Sequence, residues 1–181
     1  MKNLIIHPSD SSTDFLKPIY GKVNDNDKTV VAGKTNPLQV LDLIKRSDRI
    51  LMMGHGCPAG LFSMRMFTFK PYVVGNNDSD ILRDKDNIYI WCHANKFVEK
   101  NDLHGFYSGM FISEVREAQY CGLRGVTQAM VNESNDGFAE ILGNYIDLPK
   151  EELYEKVVRE YGVIAEHNPV AQYNLSRLAI R

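Results

Sequence analysis

The chain has 181 residues, 44% of them hydrophobic and 24% charged, with a formal net charge of -2 and a pI near 6.2. That is enough chain to bury a core in one domain, 1–181, and the balance excludes a fibre, a disordered chain, or a protein drawn as a whole to nucleic acid or to an anionic membrane. Cys57, Cys92 and Cys121 are an odd number of cysteines, no export-type apolar run precedes them, and no stretch approaches the ~20 apolar residues that span a bilayer, so reduced thiols and a cytoplasmic location are expected.

Residues 2–6 read as a strand stopped by Pro8, because proline cannot donate to a ladder. Residues 9–14 are cap- and turn-forming and lead into a helix or short turn at 15–20. A polar loop, 21–27, and a short strand, 29–32, follow. Asn36 with Pro37 behind it is a helix start, and Leu38, Val40, Leu41, Leu43 and Ile44 space one buried face. The apolar run 50–53 is short, opens on a charged residue and stops at Gly54-His55-Gly56, the signature of a buried strand rather than a helix.

Residues 61–69 alternate and, with 72–74, predict a small hairpin; 76–79 are a turn and 80–83 one or two helical turns. The run 88–91 is a second buried strand of the same construction, ending at Cys92. A helix is predicted over 105–120, broken by Gly122 and Gly125, then a strand over 126–131 and a loop at 132–136. Ser134 would cap a helix over 137–146, and Pro149 opens another through 163, before a turn-rich stretch ending at 175–178. Strands alternating with helices predict an α/β fold, a mostly parallel sheet flanked by helices on both faces.

Ligands of open parallel sheets bind beyond the carboxyl ends of the strands. His55 and Cys92 each stand at such an end, so parallel, adjacent strands would bring them together as a thiol and its base. A zinc site built from His55, Cys57, Cys92 and His93 has the right residue types, but successive strand side chains point to opposite faces and no Cys-x-x-Cys pair exists, so no metal is expected. His7, His104 and His167 show no partner pattern and read as surface or loop residues, and Tyr89 and Trp91 as packing groups inside a covered strand.

With His55-Gly56 ending one apolar strand and Cys92 ending a later one, the chain resembles the caspase-like fold of clan CD cysteine peptidases, closest in layout to clostripain and the bacterial CHAT domains. It departs from the metacaspase and clostripain pattern at Ile90, where those enzymes carry Asp, and at Ala94 and Asn95, where a Gly follows the cysteine. The resemblance implies a caspase-like fold and a cysteine endopeptidase with catalytic His55 and Cys92, an oxyanion hole from the backbone N–H groups of Gly56 and Cys92, a peptide or protein substrate, and no cofactor. It also implies a first specificity pocket near the loop after the first strand. Asp10 there, with Glu133 and Asp136 from the loop at 132–136, predicts cleavage after Arg or Lys. Two other readings stand beside it: an inactive caspase-like binding module, and a thiol-dependent hydrolase of small molecules.

Overall fold

The computed structural model describes residues 1–8, 11–33, 36–63 and 70–181. Strand β1 (Asn3–His7) is buried along its whole length. A 3-10 turn, Asp14–Leu16, and the short helix α1 (Lys17–Gly21) lead to β2 (Lys28–Ala32), which lies at the edge of the sheet. Helix α2 (Pro37–Lys45) starts as its sequence requires: the Asn36 side chain accepts a bond from the Leu38 N–H at 3.1 Å, with Pro37 in the first turn. It returns the chain to β3 (Arg49–Met53), parallel to β1.

Three short strands, β4 (Gly56–Cys57), β5 (Gly60–Phe62) and β6 (Tyr72–Gly75), then form a separate antiparallel sheet. A 3-10 segment, Asn76–Leu82, brings the chain to β7 (Asp86–Ile90), parallel to β3. Helix α3 (Ala94–Lys100) and strand β8 (Phe106–Ser108) follow, then α4 (Val115–Tyr120), α5 (Gln128–Tyr145), α6 (Lys150–Ala165), α7 (Pro169–Leu175) and the antiparallel edge strand β9 (Leu178–Ile180). The main sheet has the order β2-β1-β3-β7-β8-β9 and is parallel except at β9. Among the described residues no helix is long and apolar enough to cross a membrane.

Both faces of the sheet are covered, and the period of two along each strand decides which residue goes where. Ile5, Leu51, Met53, Ile88 and Ile90 pack on one side against Ile19 of α1, Phe138 and Leu142 of α5, and Val157 and Tyr161 of α6. Their neighbours in sequence, Leu4, Ile6, Ile50, Met52, Tyr89 and Trp91, pack on the other side against Val40 and Ile44 of α2 and Phe97 and Val98 of α3.

Several predicted elements differ, and the stretch expected to be turn-rich after 163 is α7 and β9. The expected helix over 105–120 is β8, a loop and the six-residue α4. Gly105 has φ +142, which no helix accommodates, and Phe106, Tyr107 and Ser108 are buried between β7 and β9, so sheet pairing overrides the helical apolar spacing. The expected strand over 126–131 is the start of α5, because the Thr127 hydroxyl caps it by accepting from the Met130 N–H at 3.3 Å. The loop expected at 132–136 is therefore the middle of that helix, and Ser134, rather than capping a later one, is buried in it 2.6 Å from Tyr161 Oη.

At Gly105 an added Cβ would lie 2.2 Å from the Asn87 carbonyl oxygen, in a backbone conformation that side chains rarely adopt. Gly105→Ala is expected to destabilise the fold by about 2–4 kcal/mol, read as a lower urea midpoint. An unchanged midpoint would show that β7 and β8 separate freely there.

Candidate functional site

The chain leaves β1 to form β2 on one side and returns to form β3 on the other, so the direction of winding reverses between β1 and β3. In such sheets the crevice beyond the carboxyl ends at the reversal is where ligands are held. Met53 is paired with Ile90 in the β3–β7 register, and the Gly54 N–H bonds to Ile90 O at 3.0 Å. His55 and Cys92 thus lie the same two residues beyond paired positions, on the same edge. Both line one cleft, with Thr13, Phe15 and Leu16 from the segment after β1 and Phe111 and Ser113 from the segment after β8. The cleft is shallow and partly open to solvent, with a cavity volume of only about 20 Å³, room for little more than a water molecule.

The glycines flanking His55 act differently from each other. Gly54 has φ +136, a turn geometry suited to glycine that takes the chain off the end of β3. At Gly56 an added Cβ would stand 2.2 Å from Trp91 Cδ1, so the space there holds the indole, not a substrate. Trp91 Nε1–H donates to Cys57 O at 3.2 Å, which ties the excursion after His55 to the strand that carries Cys92. Trp91 itself turns away to pack edge-on against Phe97, ring centroids 5.5 Å apart, and leaves Cys92 at the cleft.

Cys92 lies in a tight turn between β7 and α3. The next residue, His93, has φ 66 and ψ 26, a left-handed conformation uncommon outside glycine, and its N–H bonds to Gly109 O. Backbone of this kind tends to cluster where a side chain must be presented against its preference. The Cys92 thiol points to Phe111 O, with Sγ···O 3.6 Å. Burial pushes it up from an ordinary 9.0 to about 11, and the carboxylate of Glu117 acts in the same direction.

The thiol is therefore protonated at neutral pH. Since the thiolate is the reactive form, the rate of Cys92 alkylation by iodoacetamide is expected to climb about tenfold per pH unit and to level only near pH 11. Peptide-resolved mass spectrometry measures this, and a plateau at pH 8 would mean that the thiol is not held neutral. The sign for stability follows: the unfolded chain ionises first, so the contribution of the buried neutral thiol is present below pH 9 and lost as pH rises through about 11.

On the other side of the cleft, His55 Nε2 lies 2.7 Å from the Ser12 hydroxyl. Behind Ser12, Thr13 Oγ1 lies 3.2 Å from His7 Nε2, and Tyr20 Oη 3.1 Å from His7 Nδ1. His7 is fully buried, not the surface or loop residue expected. Its position carried the signal: it continues the fully buried run of β1 beyond Ile6. Ser12 carried none, being one of four hydroxyl residues between Ser9 and Thr13.

Of the expected specificity carboxylates, Asp10 lies outside the described residues. Glu133 and Asp136 are exposed on α5, and neither lines the cleft. Glu133 accepts from His167 Nε2 at 2.9 Å and Asn168 Nδ2 at 2.8 Å, bonds that hold its carboxyl below the ordinary range and make it a strut to the start of α7. His167 is accordingly at the surface, as expected, with its pKa raised first by that bond. His55, Cys57, Cys92 and His93 do not assemble as ligands; among the described residues no three His, Cys, Asp or Glu side chains gather where they could hold one ion.

No family model, curated protein or solved structure matches the chain.

Proposed function

We propose that the chain is a caspase-like cysteine hydrolase acting on peptide bonds, with Cys92 as nucleophile and His55 as its general acid and base. The observation that carries this is the placement of both side chains in one open cleft at the ends of adjacent parallel strands. Cys92 Sγ attacks the carbonyl carbon while its proton passes to His55. The oxyanion of the tetrahedral intermediate is held by backbone N–H groups, those of Gly56 and Cys92 in the proposed arrangement. Collapse expels the amine, which takes the proton from His55, and leaves a thioester on Cys92. Water, deprotonated by His55, then attacks the thioester, releasing the acid and restoring the thiol.

Because the thiol is neutral near pH 7, proton transfer to His55 accompanies attack; a preformed thiolate–imidazolium pair is not needed. In this proposal, preference for an Arg or Lys side chain is supported by Glu117. Its Oε2 caps the start of α4, accepting from Ser113 N–H at 2.7 Å, Ser113 Oγ–H at 3.0 Å and Glu114 N–H at 3.2 Å; it stands behind Ser113 of the cleft wall, and its charge reaches Cys92. The raised thiol also favours a second reading, a binding module in which Cys92 does no chemistry.

Incubation with p-nitrophenyl acetate and with a fluorogenic peptide pool separates the two. An acetyl thioester on the Cys92 peptide and cleavage of peptides support the hydrolase. Neither product, with the cleft still saturable by peptide, supports the binding module.

A further inference from the structure

Resting on the proposed hydrolase, we propose that Asn174 of α7 is a positioning residue. It grips both backbone groups of Ile112 and so holds Phe111 and Ser113, the wall of the cleft that meets the Cys92 thiol.

The grip is a pair of bonds to one residue 62 positions away in the chain. Asn174 Oδ1 accepts from the Ile112 N–H at 2.7 Å, and Asn174 Nδ2–H donates to Ile112 O at 2.9 Å. Ile112 is fully buried and lies between β8 and α4, outside any strand or helix, so its peptide groups need partners from elsewhere. A primary amide presents an acceptor and a donor side by side, as an antiparallel strand would. The pairing also settles which way the amide is turned, because the reverse would set N–H against N–H and carbonyl against carbonyl.

Asn174 can hold Ile112 because α7 is itself fastened. At its start the Asn168 side chain accepts from the Val170 and Ala171 N–H groups and donates to Met130 O on α5 at 2.8 Å. Asn174 is fully buried, and Nδ2 also lies 3.3 Å from Ser134 Oγ. Ile112 is thus the point at which the irregular segment after β8 is pinned to the helices, among Val131 of α5 and Val170 of α7. On either side of it, the Phe111 ring packs on Phe138, centroids 4.7 Å apart, and Ser113 O accepts from Asn135 Nδ2 at 3.0 Å.

This segment is what the thiol meets. Phe111 O lies 3.6 Å from Cys92 Sγ, and Phe111 and Ser113 both line the cleft. A cleft with so little room cannot absorb a shift of its wall without changing the surroundings of the sulfur. Without Asn174, the buried peptide groups of Ile112 are left unpaired and are satisfied only by moving toward water, which opens the wall, wets the thiol and loosens the alignment that acyl transfer needs.

The test uses the full chain and two variants. Asn174→Leu roughly keeps the volume and makes neither bond, whereas Ser134→Ala removes a neighbouring buried hydroxyl and leaves both bonds to Ile112. Alkylation of Cys92 by iodoacetamide, resolved by peptide, needs no hydrolase activity. In Asn174→Leu it is expected to run about tenfold faster at pH 8 and to level about one pH unit lower than in the wild type. The kcat for p-nitrophenyl acetate is expected to fall about tenfold with KM nearly unchanged. Ser134→Ala is expected to lower the urea midpoint yet keep the wild-type alkylation profile and kcat, which separates positioning from loss of stability. In the wild type the Ile112 amide is expected to exchange its hydrogen as slowly as the buried amides of α5, a measurement that stands even if Asn174→Leu fails to fold. A folded Asn174→Leu with the wild-type profile and kcat, a Ser134→Ala that shifts both equally, or a rapidly exchanging Ile112 amide overturns the positioning role and leaves the hydrolase standing. If the wild type forms no acetyl thioester on Cys92, the hydrolase falls and the part of Asn174 in catalysis falls with it.

Discussion

On the proposed mechanism, Cys92→Ala is expected to reduce hydrolysis to the rate of the uncatalysed reaction, a loss on the order of 10³-fold or more, because the proposed covalent route disappears with the sulfur. His55→Ala removes the only proton acceptor proposed for a thiol held near 11, and a loss of about 10² to 10⁴ in kcat is expected from general-base catalysis. The double variant should be no slower than Cys92→Ala alone, since the two groups act in one step. Steady-state kinetics on an activated ester and on a cleaved peptide, with thermal unfolding of each variant, measures this. Cys92 is half-buried and alanine keeps its Cβ, so the fold should lose only about 1 kcal/mol. Activity that survives Cys92→Ala would assign the chemistry to another group.

Arg49→Ala is expected to cost about 3–5 kcal/mol of stability, more than any single apolar truncation at the rim of the sheet. The guanidinium is 2% exposed at the start of β3. Its Nε–H donates to Asp86 Oδ2 at 2.6 Å, and its two terminal nitrogens donate to Ile146 O at 2.5 Å and Leu148 O at 2.8 Å. One side chain thereby joins β3 to β7 and both strands to the end of α5. Alanine leaves two carbonyls and a carboxylate without their donor, and burial makes each of them expensive. Lysine keeps the charge but cannot reach three acceptors at fixed angles, so Arg49→Lys should fall between the two. Urea unfolding of the three proteins gives the order. A loss below about 1 kcal/mol for alanine would mean that water replaces the guanidinium at little cost.

Much of this was legible in the residues. Two short apolar runs, each ending in a reactive side chain, indicated parallel strands, and the β3–β7 pairing places His55 and Cys92 at one cleft. Asn36-Pro37 marked its helix because the cap is a local interaction. What was not legible depends on contacts distant in sequence. The apolar residues of 105–120 have helical spacing, and only pairing with β7 and with β9, some seventy residues later, makes part of that stretch a strand. Thr127 does not stand out as a cap, because Val126, Ala129, Met130 and Val131 satisfy a strand pattern equally well in isolation. Ser12 and Thr13 meet His55 and His7 across the sheet edge, and no local rule in the sequence marks them for that.

The indole seated on Gly56 is also the chain's one tryptophan, so the protein carries a single indole fluorophore and it stands at the wall of the cleft. Its ring is 1% exposed and its neighbour in sequence is the thiol, a quencher of indole emission. Indole emission, excited to the red of the tyrosines, therefore reports on the junction between the two strand ends, not on an average over the molecule.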